Sequence, residues 1–125
     1  MTARTLVRLS SAIEVATGVA LIGVPDLVAR LLLGVGLSGS GIAVARLAGL
    51  GLLSLGLACW PGGEDAAPQA TRALFIYNLL AALYLAYLRV GAGFVSYLLW
   101  PACVLHAVLA LLMARPAYKG GSTRH

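Results

Sequence analysis

Four apolar stretches, each close to the length of a bilayer crossing and each bounded by turn-forming or polar residues, constrain this chain more than any other feature. A helix that spans the hydrocarbon core needs about 20 mostly apolar residues. Windows that meet this requirement are 6–24, 41–60, 73–89 and 94–114. The first ends at Val24-Pro25-Asp26, where proline cannot continue a helix and Asp26 can cap a new one. The second stops at Pro61-Gly62-Gly63, and the polar stretch from Glu64 to Thr71 reads as a loop. A tight Val90-Gly91-Ala92-Gly93 connection separates the last two, and residues 115–125 read as a flexible polar tail. Residues 26–34 are too few to span and read as a short interfacial helix, with Arg30 reaching toward headgroups. As a membrane-surface linker the segment needs no further role, and as a lid it would cover an outward-facing cavity.

Composition removes the competing classes. Only 10% of the residues are charged and 61% are hydrophobic, against about 25% charged in a soluble domain. Disordered chains are poor in apolar residues, and two cysteines are too few to frame a small disulfide-stapled fold. The expected fold is therefore all-α: one domain over 1–125, an integral membrane four-helix bundle in a lipid bilayer. Arg4 and Arg8 before an apolar run also resemble the start of a signal peptide. Glu14 interrupts that run, and no small-residue cleavage pattern precedes Pro25, so a retained first helix is expected.

Arg4, Arg8, Arg72, Arg115, Lys119 and Arg124 fall on the side of the termini, whereas Arg30 and Arg89 fall on the other. By the excess of Lys and Arg in cytoplasmic loops, both termini should be cytoplasmic. The formal charge of +5 is then mainly a topology signal. With no basic stripe interleaved with aromatics, no nucleic-acid partner is expected.

Ionisable groups within a span cost about 2.5–3.5 kcal/mol on insertion scales, so each needs a reason to be there. Glu14, Arg46 and His106 lie in the first, second and fourth spans, and Asn78 in the third. All four have small residues three or four positions away, such as Ser10, Ser11 and Gly18 around Glu14, and Ala102, Cys103 and Ala110 around His106. Small residues mark faces where helices pack closely in lipid, so the polar groups should point into the bundle. Arg46 enters from the outer face, and its long side chain could reach down to Glu14, making one intramembrane cluster of Glu14, Arg46, Asn78 and His106. Such a cluster can be a buried ion pair with hydrogen-bonding glue, or a site for a solute and protons. Gly41, Ala45 and Gly49 form a small-residue ridge suited to helix packing, within the chain or against another copy.

Other signals point to packing. His106 lacks companion ligands in the spans, so neither haem nor a metal is expected and the cofactor is unassigned. Cys59 and Cys103 sit at different depths and read as packing residues. Trp60, Tyr77, Tyr87, Tyr97 and Trp100 read as interfacial aromatics, and Pro101 is expected to kink the fourth span. No nucleophile triad, phosphate-binding loop or HExxH motif occurs, so an enzyme is not expected.

The four spans and the segment Ala45-Arg46-Leu47-Ala48-Gly49-Leu50-Gly51-Leu52-Leu53, with its Leu/Gly texture, resemble small bacterial inner-membrane proteins of the DoxX-like kind. The resemblance covers the helical body and implies a four-helix bundle in a bacterial inner membrane, with association to respiratory or oxidoreductase complexes. Ile13-Glu14-Val15-Ala16-Thr17-Gly18 is similar to the first helix of small multidrug-resistance transporters. The third span lacks that family's Trp-Gly-rich signature, and Arg46 and His106 are foreign to it, so this second resemblance is set aside. The function expected is binding or transport of a small solute at the polar cluster, with protons as coupling ions and conduction by a homo-oligomer or by a rocking motion. The alternative is a non-catalytic accessory or assembly subunit of a larger membrane complex, docked through the Gly41/Ala45/Gly49 ridge.

Overall fold

A computed structural model describes residues 1–63 and 65–119. These residues form five helices: α1 (Ala3–Gly23), α2 (Pro25–Leu33), α3 (Ser40–Ala58), α4 (Pro68–Val90) and α5 (Leu99–Lys119). All but α2 are long and apolar enough to cross a membrane. Local chemistry sets several of the ends. The Thr2 hydroxyl caps α1 by accepting the Thr5 N–H at 3.2 Å. Pro25 and Pro68 open α2 and α4 in the first turn, where a missing N–H costs nothing. Gly34, at φ 75°, closes α2 in the left-handed conformation.

Three expected boundaries move. The loop expected from Glu64 to Thr71 is helical from Pro68 onward. The fourth span starts at Leu99 rather than residue 94, because the chain before it is held by α2: Leu98 N–H donates to the Leu31 carbonyl at 3.0 Å, and the Ser96 hydroxyl to the Leu32 carbonyl. That start places Pro101 in the first turn of α5, so it removes no internal bond and the expected kink does not arise. The expected flexible tail over 115–125 is helical through Lys119, with Pro116 inside the helix, and 120–125 lie outside the described residues.

The helices pack as two intimate pairs, α1 with α3 and α4 with α5, and α1 joins the pairs by touching both α4 and α5. Along α5 the inward positions Leu99, Cys103, His106, Ala110, Met113 and Ala117 repeat every four and three residues, the spacing of coiled-coil packing. One end of the core gathers Leu6, Val7, Cys59, Leu74 and Met113, and the other Leu85, Leu88, Leu99 and Cys103. Glu14, Asn78 and His106 lie between these apolar ends, whereas Arg46 is exposed. Both cysteines are free and buried.

The α1–α3 pair depends on glycines. A Cβ added at Gly18 would sit 2.7 Å from the Gly49 carbonyl oxygen, and one at Gly56 would sit 2.7 Å from the Ser11 carbonyl oxygen. Backbone meets backbone at both points, as it does where small residues let membrane helices approach. The seam therefore runs through Gly49 and Gly56, seven residues apart. Of the ridge expected at Gly41, Ala45 and Gly49, Gly41 has only Leu37, from the segment just before α3, within reach of an added Cβ.

At the other end, α2 lies across the bundle, touching α1, α3 and α5. Asp26 organises the connection from α2 to α3: one carboxylate oxygen accepts the Leu37 N–H at 2.6 Å and the other accepts Arg30 Nε at 2.8 Å. The Leu37 N–H, together with the Arg30 guanidinium as the lesser cause, holds the Asp26 carboxyl below its ordinary range.

This packing makes two outcomes measurable. Gly18→Val should destabilise the protein by roughly 1–3 kcal/mol, the usual range for overpacking, whereas Gly51→Ala, whose new methyl meets nothing within 4 Å, should not destabilise; thermal unfolding in detergent measures both. Because the Asp26 carboxyl is lowered on folding, its anchor is complete at neutral pH and is lost as pH falls through that lowered range. Protection of the Leu37 amide from hydrogen exchange, taken relative to the intrinsic rate at each pH, should fall on acidification and be low at neutral pH in Asp26→Asn; equal protection in that variant would refute the anchor.

Candidate functional site

The buried face of α1 is polar in its middle. Leu6, Val7, Ser10, Ser11, Glu14 and Gly18 are its buried positions, spaced as one stripe of a 3.6-residue helix, while Leu9 and Val19 face outward. This reverses the usual amphipathic helix, as lipid demands: apolar side chains face the tails, and polar ones face protein that can satisfy them. The face thus requires partners from α4 and α5.

Asn78 is the main partner. Fully buried, it sends Nδ2 to the Ser10 hydroxyl at 2.9 Å and to the Leu74 carbonyl at 2.8 Å. A carbonyl only accepts, so the Leu74 contact settles which end of the amide carries hydrogen. The Asn78 carbonyl oxygen is left facing His106 Nδ1 at 2.8 Å. Nδ1 therefore donates, which fixes the imidazole tautomer and leaves Nε2 as the acceptor of the neutral ring. One amide thus links α1, α4 and α5.

Glu14 lies beside this chain. Glu14 is 1% exposed, Tyr77 on α4 neighbours its carboxyl, and the Tyr77 ring stands edge-on to His106 with centroids 5.8 Å apart. Among the described residues, two buried side-chain oxygens, Glu14 Oε1 and Ser11 Oγ, have no hydrogen-bond partner. They are three positions apart on α1 and share a face. No group of three or more His, Cys, Asp or Glu side chains gathers among the described residues as a metal would require.

Of the four residues expected to cluster, the structure brings Glu14, Asn78 and His106 together and places Arg46 elsewhere. The glycine contacts fix the antiparallel register: Gly18 faces Gly49 and Leu53, and Ser11 faces Gly56. Glu14 is then level with Leu53, and Arg46 is about 10 Å away along the axis at 1.5 Å per residue. Arg46 Nε instead donates to the Ile22 carbonyl at 3.1 Å. It satisfies one of the open carbonyls at the C-terminus of α1, where the helix dipole favours a cation. The reach toward Glu14 fails because the nearer helix end offers an acceptor.

Three participants lay outside the expected set. Tyr77 reads as interfacial from its place near a span end, yet it faces inward; alanines four residues to either side, at 73 and 81, leave room for a large ring there. Ser10 and Ser11 stand out as small neighbours of Glu14, and their hydroxyls matter as well as their size. No protein-family model, curated protein or solved structure matches the chain, so the DoxX-like resemblance rests on its residues alone.

Asn78→Leu should leave the Ser10 hydroxyl and His106 Nδ1 without their shared partner, costing roughly 1–3 kcal/mol for buried groups left unsatisfied. Unfolding in detergent measures the loss. Nitrogen chemical shifts of His106 should report a single Nδ1-protonated tautomer in the parent and a mixture in the variant; an unchanged tautomer would show that Asn78 does not fix it.

Proposed function

We propose that this multi-pass membrane protein binds or moves a small solute at the Glu14 cluster, with a proton as co-occupant, and that it resides in a bacterial inner membrane. One observation carries the reading: a carboxyl buried in the middle of the bundle, with an oxygen lacking a hydrogen-bond partner and no cation paired to it among the described residues. Charge in such a setting needs a partner, because desolvation of an isolated carboxylate is severe. With Arg46 engaged at Ile22, no such partner is supplied among the described residues, so a proton or a small cationic solute is the natural occupant. The unpartnered Ser11 hydroxyl on the same face adds a hydrogen-bonding group suited to the same guest. Tyr77, His106 and Asn78 serve as the polar wall that orients it.

The accessory-subunit alternative relies on the Gly41/Ala45/Gly49 ridge as a free docking face. Gly49 is buried against Gly18 of the same chain, which favours the solute reading.

Two measurements test the proposal. A hydrophobic carbodiimide reacts with membrane carboxylic acids in the protonated form, so it should label Glu14, as identified by peptide mass, with labelling that falls as pH rises. In proteoliposomes holding a pH-sensitive dye under an imposed potential, Glu14→Gln should abolish protein-dependent proton uptake, as expected when the proton-carrying carboxyl is lost. Helicity and elution volume should stay unchanged. A Glu14 inert to carbodiimide at every pH, or undiminished uptake by the variant, would overturn the proposal, and a variant that cannot fold would assign Glu14 to structure.

A further inference from the structure

The two ends of the bundle treat their cations differently. At the α2 end, two of three cations are engaged: Arg30 pairs with Asp26 at 2.8 Å and Arg46 is bonded to a helix carbonyl, while Arg89 at the end of α4 has no side-chain bond among the described residues. The opposite end gathers Arg4 and Arg8 from the first turns of α1, Arg72 from the start of α4, and Arg115 and Lys119 from the last turns of α5. The core cluster of Leu6, Val7, Cys59, Leu74 and Met113 places these helix ends side by side. All five cations are exposed, and none forms an ion pair among the described residues. The connection from α3 to α4 carries two acidic residues, Glu64 and Asp65, against these five.

Two of the five are held in place. The Arg8 guanidinium sits 5.8 Å from the Trp60 ring centroid, and that of Arg72 sits 5.7 Å from the Tyr118 ring centroid. A cation–π contact restricts the side chain and consumes none of the guanidinium's N–H donors. Trp and Tyr belong at headgroup level, so these rings set the depth of both guanidinium groups at the layer where lipid phosphates lie. Arginine donors form paired bonds to phosphate oxygens, and a polybasic surface draws anionic lipids.

We propose that this end of the bundle is a binding site for the phosphate headgroup of an anionic phospholipid, with Arg8 and Arg72 as the positioned donors and Arg4, Arg115 and Lys119 as the surrounding field. The site is independent of the Glu14 cluster.

The test uses the full chain in bilayer nanodiscs of phosphatidylglycerol mixed with phosphatidylcholine, followed by gentle detergent release and native mass spectrometry. Phosphatidylglycerol should be retained in preference to phosphatidylcholine, and the preference should shrink with added salt. Arg8→Gln and Arg72→Gln should each lower it about fivefold, the size expected for one basic residue near an anionic surface. Arg89→Gln, at the opposite end, should leave it unchanged. Arg72→Lys keeps the charge and the fold and should retain more than Arg72→Gln. Equal retention of the two lipids, an equal effect of Arg89→Gln, or full displacement of lipid by millimolar inorganic phosphate would overturn the proposal, the last by showing that free phosphate suffices.

Discussion

Asn78 is the point on which the assembly of this bundle turns. Within lipid there is no hydrophobic force to draw one apolar helix onto another, so association depends on close packing and on polar groups that need one another. The α1–α3 and α4–α5 pairs can each form by packing, but the polar stripe of α1 must be satisfied from outside its pair. Asn78 does this by bonding Ser10 on α1 while its oxygen engages His106 on α5. The same amide that joins the pairs also fixes the histidine tautomer, so assembly and site geometry share one cause.

The remaining architecture protects that centre. Backbone contact at Gly18, Gly49 and Gly56 brings α3 against α1. Above and below, the apolar clusters close the bundle, and α2 with the 94–98 segment covers one end through bonds to its last carbonyls. Glu14 is thereby buried, yet the packing pairs its carboxyl with no cation among the described residues and leaves one of its oxygens without a hydrogen bond. That mismatch between strong burial and incomplete satisfaction separates the site from ordinary helix glue such as the Cys103 thiol, which reaches the Ala82 carbonyl at 3.4 Å.

Much of this was legible in the residues. Runs of apolar side chains are a local property, and local counting finds spans to within a few positions. The fourth span was placed five residues early because 94–98 are apolar enough to continue a helix, and only their bonds to α2 pull them out of it. Glu14, Asn78 and His106 were conspicuous as polar residues among small ones. Arg46 looked like their companion for the same reason, but its partner depended on the α1–α3 register, which places it beside Ile22. Tyr77 was hidden by its chemistry, since a tyrosine near a span end fits the interface as well as a site.

The sequence alone determined the number of helices long and apolar enough to span, the presence of a short helix after the first, and the burial of Glu14 and Asn78, though not the exposure of Arg46, because hydropathy and charge act residue by residue. The tertiary structure decided which of those groups meet. Rotation and register set the partners, and both depend on glycine contacts and hydrogen bonds between residues far apart in the chain, such as Ser10 with Asn78. No local pattern specifies such pairs, because each depends on how two helix faces fit once every other helix is in place.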